Sequence, residues 1–168
     1  HPNVVRLFGL VAQKPTYGLV LEYCGGGSLL DLVQDDERPL PPSRRVALAL
    51  DVACGMEHVH GRGIVHGDLR SANVLLARRG GKAKVADFGL ARTANKIAKS
   101  SGSKRASQAV NWLAPEVLVG SVARSKDADV FSYAMTLFEI ASGELPFEEF
   151  GHEQLRIKLL RGDRPAFP

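Results

Sequence analysis

In "IVHGDLRSANVLL", residues 64 to 76, Asp68 and Asn73 stand five positions apart between two apolar runs. A carboxylate can accept or orient a proton, and a carboxamide oxygen can serve a hard cation. The spacing suits a loop that holds a base and a metal ligand side by side. A second acid follows at Asp87, in "DFG" at 87 to 89, and "APE" at 114 to 116 completes the series. Arg70 places a cation two residues after Asp68, and Gly67 precedes Asp68 with no side chain.

Such a loop needs rigid neighbours. Residues 4 to 12, "VVRLFGLVA", and 17 to 23, "YGLVLEY", read as strands joined by the turn "QKPT" with Pro15 as its breaker. The glycines 25 to 27 end the second strand. Ser28 and Asp31 form a capping-box variant that opens a short helix, "LLDLV". After the connector "DDERPLPP", Ser43 is expected to cap a long helix. Its apolar residues Val46, Ala49, Leu50, Ala53, Met56 and Val59 fall at a helical period, and Gly61 and Gly63 stop it. A hairpin follows the Asp68 loop: "NVLLA", the turn "RRGG", then "AKVADF". Residues 93 to 109 show no period and read as a mobile loop. Residues 127 to 142 read as a helix apolar nearly all round, buried at the centre of the fold and stopped by Gly143. A last amphipathic helix covers 152 to 161. Strands first, then mostly helices with one hairpin among them, make an α+β fold dominated by helices.

The bulk numbers agree with one globular domain. There are 168 residues, 45% hydrophobic and 24% charged, enough for a sizeable core. The charge of +4 is mild, and the basic residues gather at 78–79 and 96–105 rather than along one helix face. A solvated basic loop is expected there, not a nucleic-acid surface. No run reaches 18 apolar residues, so no membrane contact is expected of this segment. Cys24 and Cys54 are too few for a disulfide framework and read as small buried or half-buried side chains. They point to a reducing compartment: a cytoplasmic protein, or the cytoplasmic part of a larger one.

Taken in order, "HPNVVRLFG", "LVLEYCGGGSL", "HGDLRSAN", "DFG", "WLAPEVL", "DADVFSYAMTLFEIASGELPF" and "RGDRPAFP" resemble the protein-kinase family from end to end. The resemblance implies a protein-kinase-like fold and a transfer of phosphate from ATP, with Mg²⁺, to a protein substrate. By resemblance, Asp68 accepts or orients the proton of the attacking hydroxyl, Arg70 contacts the transferred phosphate, and Asn73 and Asp87 are metal ligands. Leu21 resembles the back of the adenine pocket, Glu22, Tyr23 and Cys24 the hinge, and Leu75 the floor beneath the ring. Plain strand residues are the alternative for these positions. His66, Phe88 and Leu7 resemble the stacked column of an active kinase, and all three are expected in the core. Asp129 is expected to hold the catalytic-loop backbone. Alone, an aspartate in a loop is a turn residue or a cap; Asp68 and Asn73 followed by D-F-G change that reading.

"HPNVVRLFG" and "NWLAPEV" resemble the tyrosine-kinase-like group, which mostly modifies Ser and Thr. Ala109 and "DLRSAN" depart from the serine/threonine pattern, so a tyrosine-specific kinase stays open. So does a pseudokinase that binds or scaffolds without transfer. H-G-D also occurs in small-molecule phosphotransferases, but "DFGLAR" and "WLAPEVL" belong to protein kinases. Gly67 replaces the arginine that in the family clamps a phosphate on the activation loop, which here carries Thr93, Ser100, Ser101, Ser103 and Ser107. The family's glycine-rich loop, strand lysine and partner glutamate would precede His1, and the arginine paired with Glu116 would follow Pro168. The expected organisation is a partial kinase domain: residues 1 to 23 end the small lobe and begin the hinge, and 24 to 168 form most of the large lobe. Upstream small-lobe residues would then be needed to complete the ATP site, and the chain alone is expected to be inactive.

Overall fold

The computed structural model describes residues 1–14, 16–35, 37, 39–78, 81–87, 109–120 and 123–166. Strands β1 (Leu7–Gln13) and β2 (Thr16–Leu21) pair antiparallel as a two-stranded sheet. Helix α1 (Leu29–Val33) follows with the expected capping box: Ser28 Oγ accepts from Asp31 N at 3.1 Å, and Ser28 N donates to Asp31 Oδ2 at 2.9 Å. Helix α2 spans Pro42–Gly61. Strands β3 (Val74–Leu76) and β4 (Ala83–Val85) form the second antiparallel hairpin. Helices α3 (Pro115–Leu118), α4 (Lys126–Ser142) and α5 (His152–Arg161) complete the order, with 3-10 turns at Ser71–Asn73 and Ala109–Trp112. No helix among the described residues is long and apolar enough to cross a membrane.

One core lies where α2 packs on β4 and α4, with Leu48, Val52, Met56, Leu69, Val74 and Val85 buried in it. A second, around Trp112, Met135, Phe147 and Leu159, joins α4 to the C-terminal part. The N-terminal residues reach into the first core ahead of β1. Asn3 Nδ2 donates to Asp51 Oδ1 at 2.8 Å and to Ala83 O at 3.0 Å, while Val5 N and Val85 N bond across to Val85 O and Asn3 O. Gly55 lets α2 approach this bridge, since a Cβ there would stand 2.4 Å from Asn3 O.

Five expectations change. The long helix begins with Pro42 at its first position, after Pro41, and Ser43 lies inside it without capping. Proline there has a preset φ and no N–H to leave unpaired. The buried face of α2 is Leu48, Val52, Gly55, Met56 and Val59, whereas Val46 and Leu50 are each 59% exposed. Helix α4 is buried or half-buried over most of its surface, with an exposed stripe through Val130, Ala134 and Ala141. Its buried residues include Asp129, Ser132, Thr136 and Glu139 beside the apolar Met135 and Ile140, so a polar seam runs where only apolar packing is expected. Leu7, expected in the core, is 52% exposed, because neither face of the β1–β2 hairpin is covered by the described residues. Cys54 is exposed on α2, while Cys24 is half-buried. Phe88, the basic loop and the phosphate acceptors from Thr93 to Ser107 lie outside the described residues, as does Pro15.

Candidate active site

The loop before β3 hangs from α4. Asp129, buried at 1% exposure, accepts from His66 N at 2.8 Å and Gly67 N at 2.7 Å, and His60 Nε2 stands 2.8 Å from the same carboxylate. A buried carboxylate is tolerable only when donors surround it in this way. The expected grip of Asp129 on the loop backbone is therefore present as two contacts, and His60 of α2 makes a third with the same carboxylate. Gly67 adopts φ +76°, a left-handed conformation that strains any residue with a Cβ. The absent side chain is thus matched to the backbone.

His66 carries the loop to the hairpin. Its Nδ1 accepts from Asp68 N at 3.2 Å, and its Nε2 lies 2.9 Å from Ala86 O. A carbonyl only accepts, so Nε2 bears the proton and the ring is neutral. Burial holds the imidazole below its usual pKa despite the Asp129 charge nearby, which agrees.

Asp68 and Asn73 meet in the loop before β3, and Asp87 follows directly after the end of β4 that is bonded to this loop. Asn73 Nδ2 donates to Asp68 O at 2.7 Å and to Asp68 Oδ2 at 2.9 Å. Ala86 N donates to Asn73 O at 2.9 Å, which sets Asp87, the next residue, beside the loop. Asp87 has φ +58°, a left-handed strain that costs a non-glycine residue about 1–3 kcal/mol and collects at functional sites. Arg70 Nε stands 3.8 Å from Asp68 Oδ2 and is buried without a hydrogen-bond partner among the described residues. Among the described residues no group of three or more His, Cys, Asp and Glu is placed to hold a metal. A cation at Asn73 and Asp87 would complete its shell from water and phosphate oxygens, the habit of Mg²⁺. The donor set, one carboxylate and one carboxamide, fits that ion.

The hinge candidates lie around β2 and β3. Glu22 holds Lys84 Nζ at 2.9 Å, and this ammonium draws the carboxyl below its usual pKa. Lys84 pairs in register with half-buried Leu75, so Glu22 and Leu75 share one neighbourhood. Gly26 N donates to Leu76 O and Leu76 N to Gly27 O, at 3.0 and 2.9 Å. These bonds need Gly26, where a Cβ would meet Arg78 backbone at 2.5 Å. Leu21 is 41% and Tyr23 90% exposed, so the described residues do not enclose them.

Reading the sequence missed Glu139. It is fully buried and accepts from Trp112 Nε1 at 2.7 Å, from Ser71 N at 3.4 Å and from Ser71 Oγ. Burial pushes its pKa up to about 7 against these donors and the Arg70 charge. A single carboxylate inside the apolar run "LFEIAS" was the available signal.

The sequence model of one family, described as protein tyrosine and serine/threonine kinase, matches residues 1–168. The chain belongs to the protein kinase family. This kinase chain is 34% identical over its whole length to RGS domain-containing serine/threonine-protein kinase A of Dictyostelium discoideum, covering 14% of that protein. It is 39% identical over 88% of its length to serine/threonine-protein kinase TNNI3K of Homo sapiens, covering 18% of it. It is 38% identical over 92% of its length to serine/threonine-protein kinase CTR1 of Arabidopsis thaliana, covering 19% of it. The kinase chain therefore spans less than a fifth of the length of these curated relatives.

Proposed function

We propose that this chain is the catalytic part of a Mg²⁺- and ATP-dependent protein kinase that phosphorylates Ser or Thr of a protein. The observation that carries this is the pairing of Asp68 and Asn73 by two hydrogen bonds, with Asp87 following Ala86, whose N–H is bonded to Asn73 O. Phosphoryl transfer asks a protein mainly for positioning and for cancellation of charge. Asp68 orients the acceptor hydroxyl and takes its proton. Asn73 and Asp87 would hold Mg²⁺, which when bound supplies charge that neutralises the phosphate oxygens. Arg70, whose Nε stands 3.8 Å from Asp68 Oδ2, would meet the transferred phosphate with its guanidinium as a planar fork. Leu21, Glu22, Tyr23, Cys24 and Leu75 form the adenine side, with residues 1–23 read as the end of a small lobe and its hinge, and 24–168 as large lobe. Serine/threonine specificity is supported by the names of all three relatives. Upstream small-lobe residues complete the nucleotide site.

The test is transfer of labelled γ-phosphate by the full-length protein to Ser-, Thr- and Tyr-containing acceptor proteins in the presence of Mg²⁺. Label on Ser or Thr is expected. Label on Tyr alone would overturn the specificity, and nucleotide binding without any transfer would make this a binding module instead.

A further inference from the structure

We infer that Glu139 is a positioning residue that fixes the distance between the catalytic loop and the segment 110–116, and so sets where a protein substrate lies relative to Asp68. The link itself stands on the geometry; its effect on a substrate rests on the kinase reading above.

Both carboxylate oxygens are engaged. Oε1 takes Ser71 Oγ, and Oε2 takes Trp112 Nε1 at 2.7 Å and Ser71 N at 3.4 Å. Ser71 belongs to the turn between Asp68 and Asn73. Trp112 opens the stretch "WLAPEVL", and α4 grips it at both ends. Its backbone carbonyl accepts from Ser132 Oγ at 2.7 Å while its indole donates to Glu139, seven residues farther along the helix. Asn111 Nδ2 is tied to Pro146 O at 2.7 Å beside it. Two segments remote in sequence thus meet on one side chain.

Packing alone does not explain the choice of residue. Buried charge pairs are often replaced by apolar side chains with no loss of stability, and desolvation lifts this carboxyl to about pKa 7. What a carboxylate adds over leucine is direction: three donors must point at two oxygens, so neither segment slides against the other.

The test compares the full-length protein with Trp112→Phe, Ser71→Ala and Glu139→Gln by hydrogen–deuterium exchange and by kinetics. Trp112→Phe keeps an aromatic ring in the core and removes the indole donor together with part of the ring. It is expected to raise exchange at amides 69–73 tenfold or more, and Ser71→Ala to do the same at 110–116. Exchange within twofold of the parent at the remote segment in both variants would overturn the link. Glu139→Gln is expected to lower kcat/KM for the protein substrate at least tenfold with KM for ATP within twofold. Equal loss of both, or a loss matched by the unfolded fraction, would reduce Glu139 to a fold residue. A parent that transfers no phosphate would refute the kinase reading, and the exchange comparison would still decide the link.

Discussion

Asn73 binds Asp68 twice with one nitrogen: Nδ2 lies 2.7 Å from its backbone carbonyl and 2.9 Å from its carboxylate. The amide is thereby turned so that its oxygen is the atom left for a cation, while the carboxylate is aimed and not merely present. Asp68→Asn is expected to lower kcat by about 10²–10⁴, the usual worth of a positioned base, with ATP affinity nearly unchanged. Asp87→Ala is expected to act elsewhere, raising the Mg²⁺ concentration needed for ATP binding at least tenfold. Turnover in Asp68→Asn equal to the parent would remove Asp68 from its role.

Gly67 predicts two outcomes. Its φ of +76° means that Gly67→Ala should destabilise the fold by about 1 kcal/mol, read as a lowered denaturation midpoint. With no arginine beside the base, replacing Thr93, Ser100, Ser101, Ser103 and Ser107 together by Ala should leave transfer within tenfold of the parent. A hundredfold fall, about 3 kcal/mol in the barrier, would show that loop phosphorylation still governs activity.

Two glycines of α2 should behave oppositely. At Gly55 a Cβ would stand 2.4 Å from Asn3 O and 2.8 Å from Val85 Cγ2, so Gly55→Ala should cost about 1–3 kcal/mol. At Gly61 nothing lies within 4 Å, so Gly61→Ala should be neutral or stabilise by up to about 1 kcal/mol. Chemical denaturation of the pair is the measurement, and a similar shift in both would mean that the contact with Asn3 does not matter.

Glu139 gives a pH signature. Its folded pKa of about 7 lies above the usual 4.5, so the folded state holds a proton that the unfolded chain has lost. Stability from this group is complete below about pH 4.5 and disappears as pH rises through 7, by about 3 kcal/mol at most. His66 acts in the opposite sense: burial depresses its pKa, so its contribution is lost on acidification. Subtracting the stability curve of Glu139→Gln from that of the parent isolates the first effect. A flat difference between pH 4.5 and 7 would contradict the buried carboxyl.

The candidate site is easier to propose from the sequence than its supports are to place. Asp68 and Asn73 stand out by their spacing, and the resemblance carried by D-F-G adds Asp87. The β3–β4 hairpin and the Ser28–Asp31 box are local, and local rules found them. The phase of α2 was not local. "VALALDVACGMEHV" offers two apolar stripes, and only the position of β4 and α4 decides that Leu48 and Val52 go inward while Val46 and Leu50 go out. The polar seam of α4 escaped for the same reason: Asp129 and Glu139 find their donors on segments 27 to 69 residues away. Leu7 was misplaced because a hairpin's pattern does not say what covers it.

The suspension of the loop 66–73 from α4 sets an order of events at the ribosome. Asp129 meets its partners across 62 to 69 residues, and Glu139 reaches Ser71 across 68. A chain that emerges from its N-terminus presents residues 66–73 well before the helix that anchors them. Until residue 139 is free, His66 to Asn73 lack those anchors, and distant pairings of this kind are slow to close. The segment that holds Asp68 should therefore gain its shape late in synthesis, which leaves the loop open to chaperones in the interval.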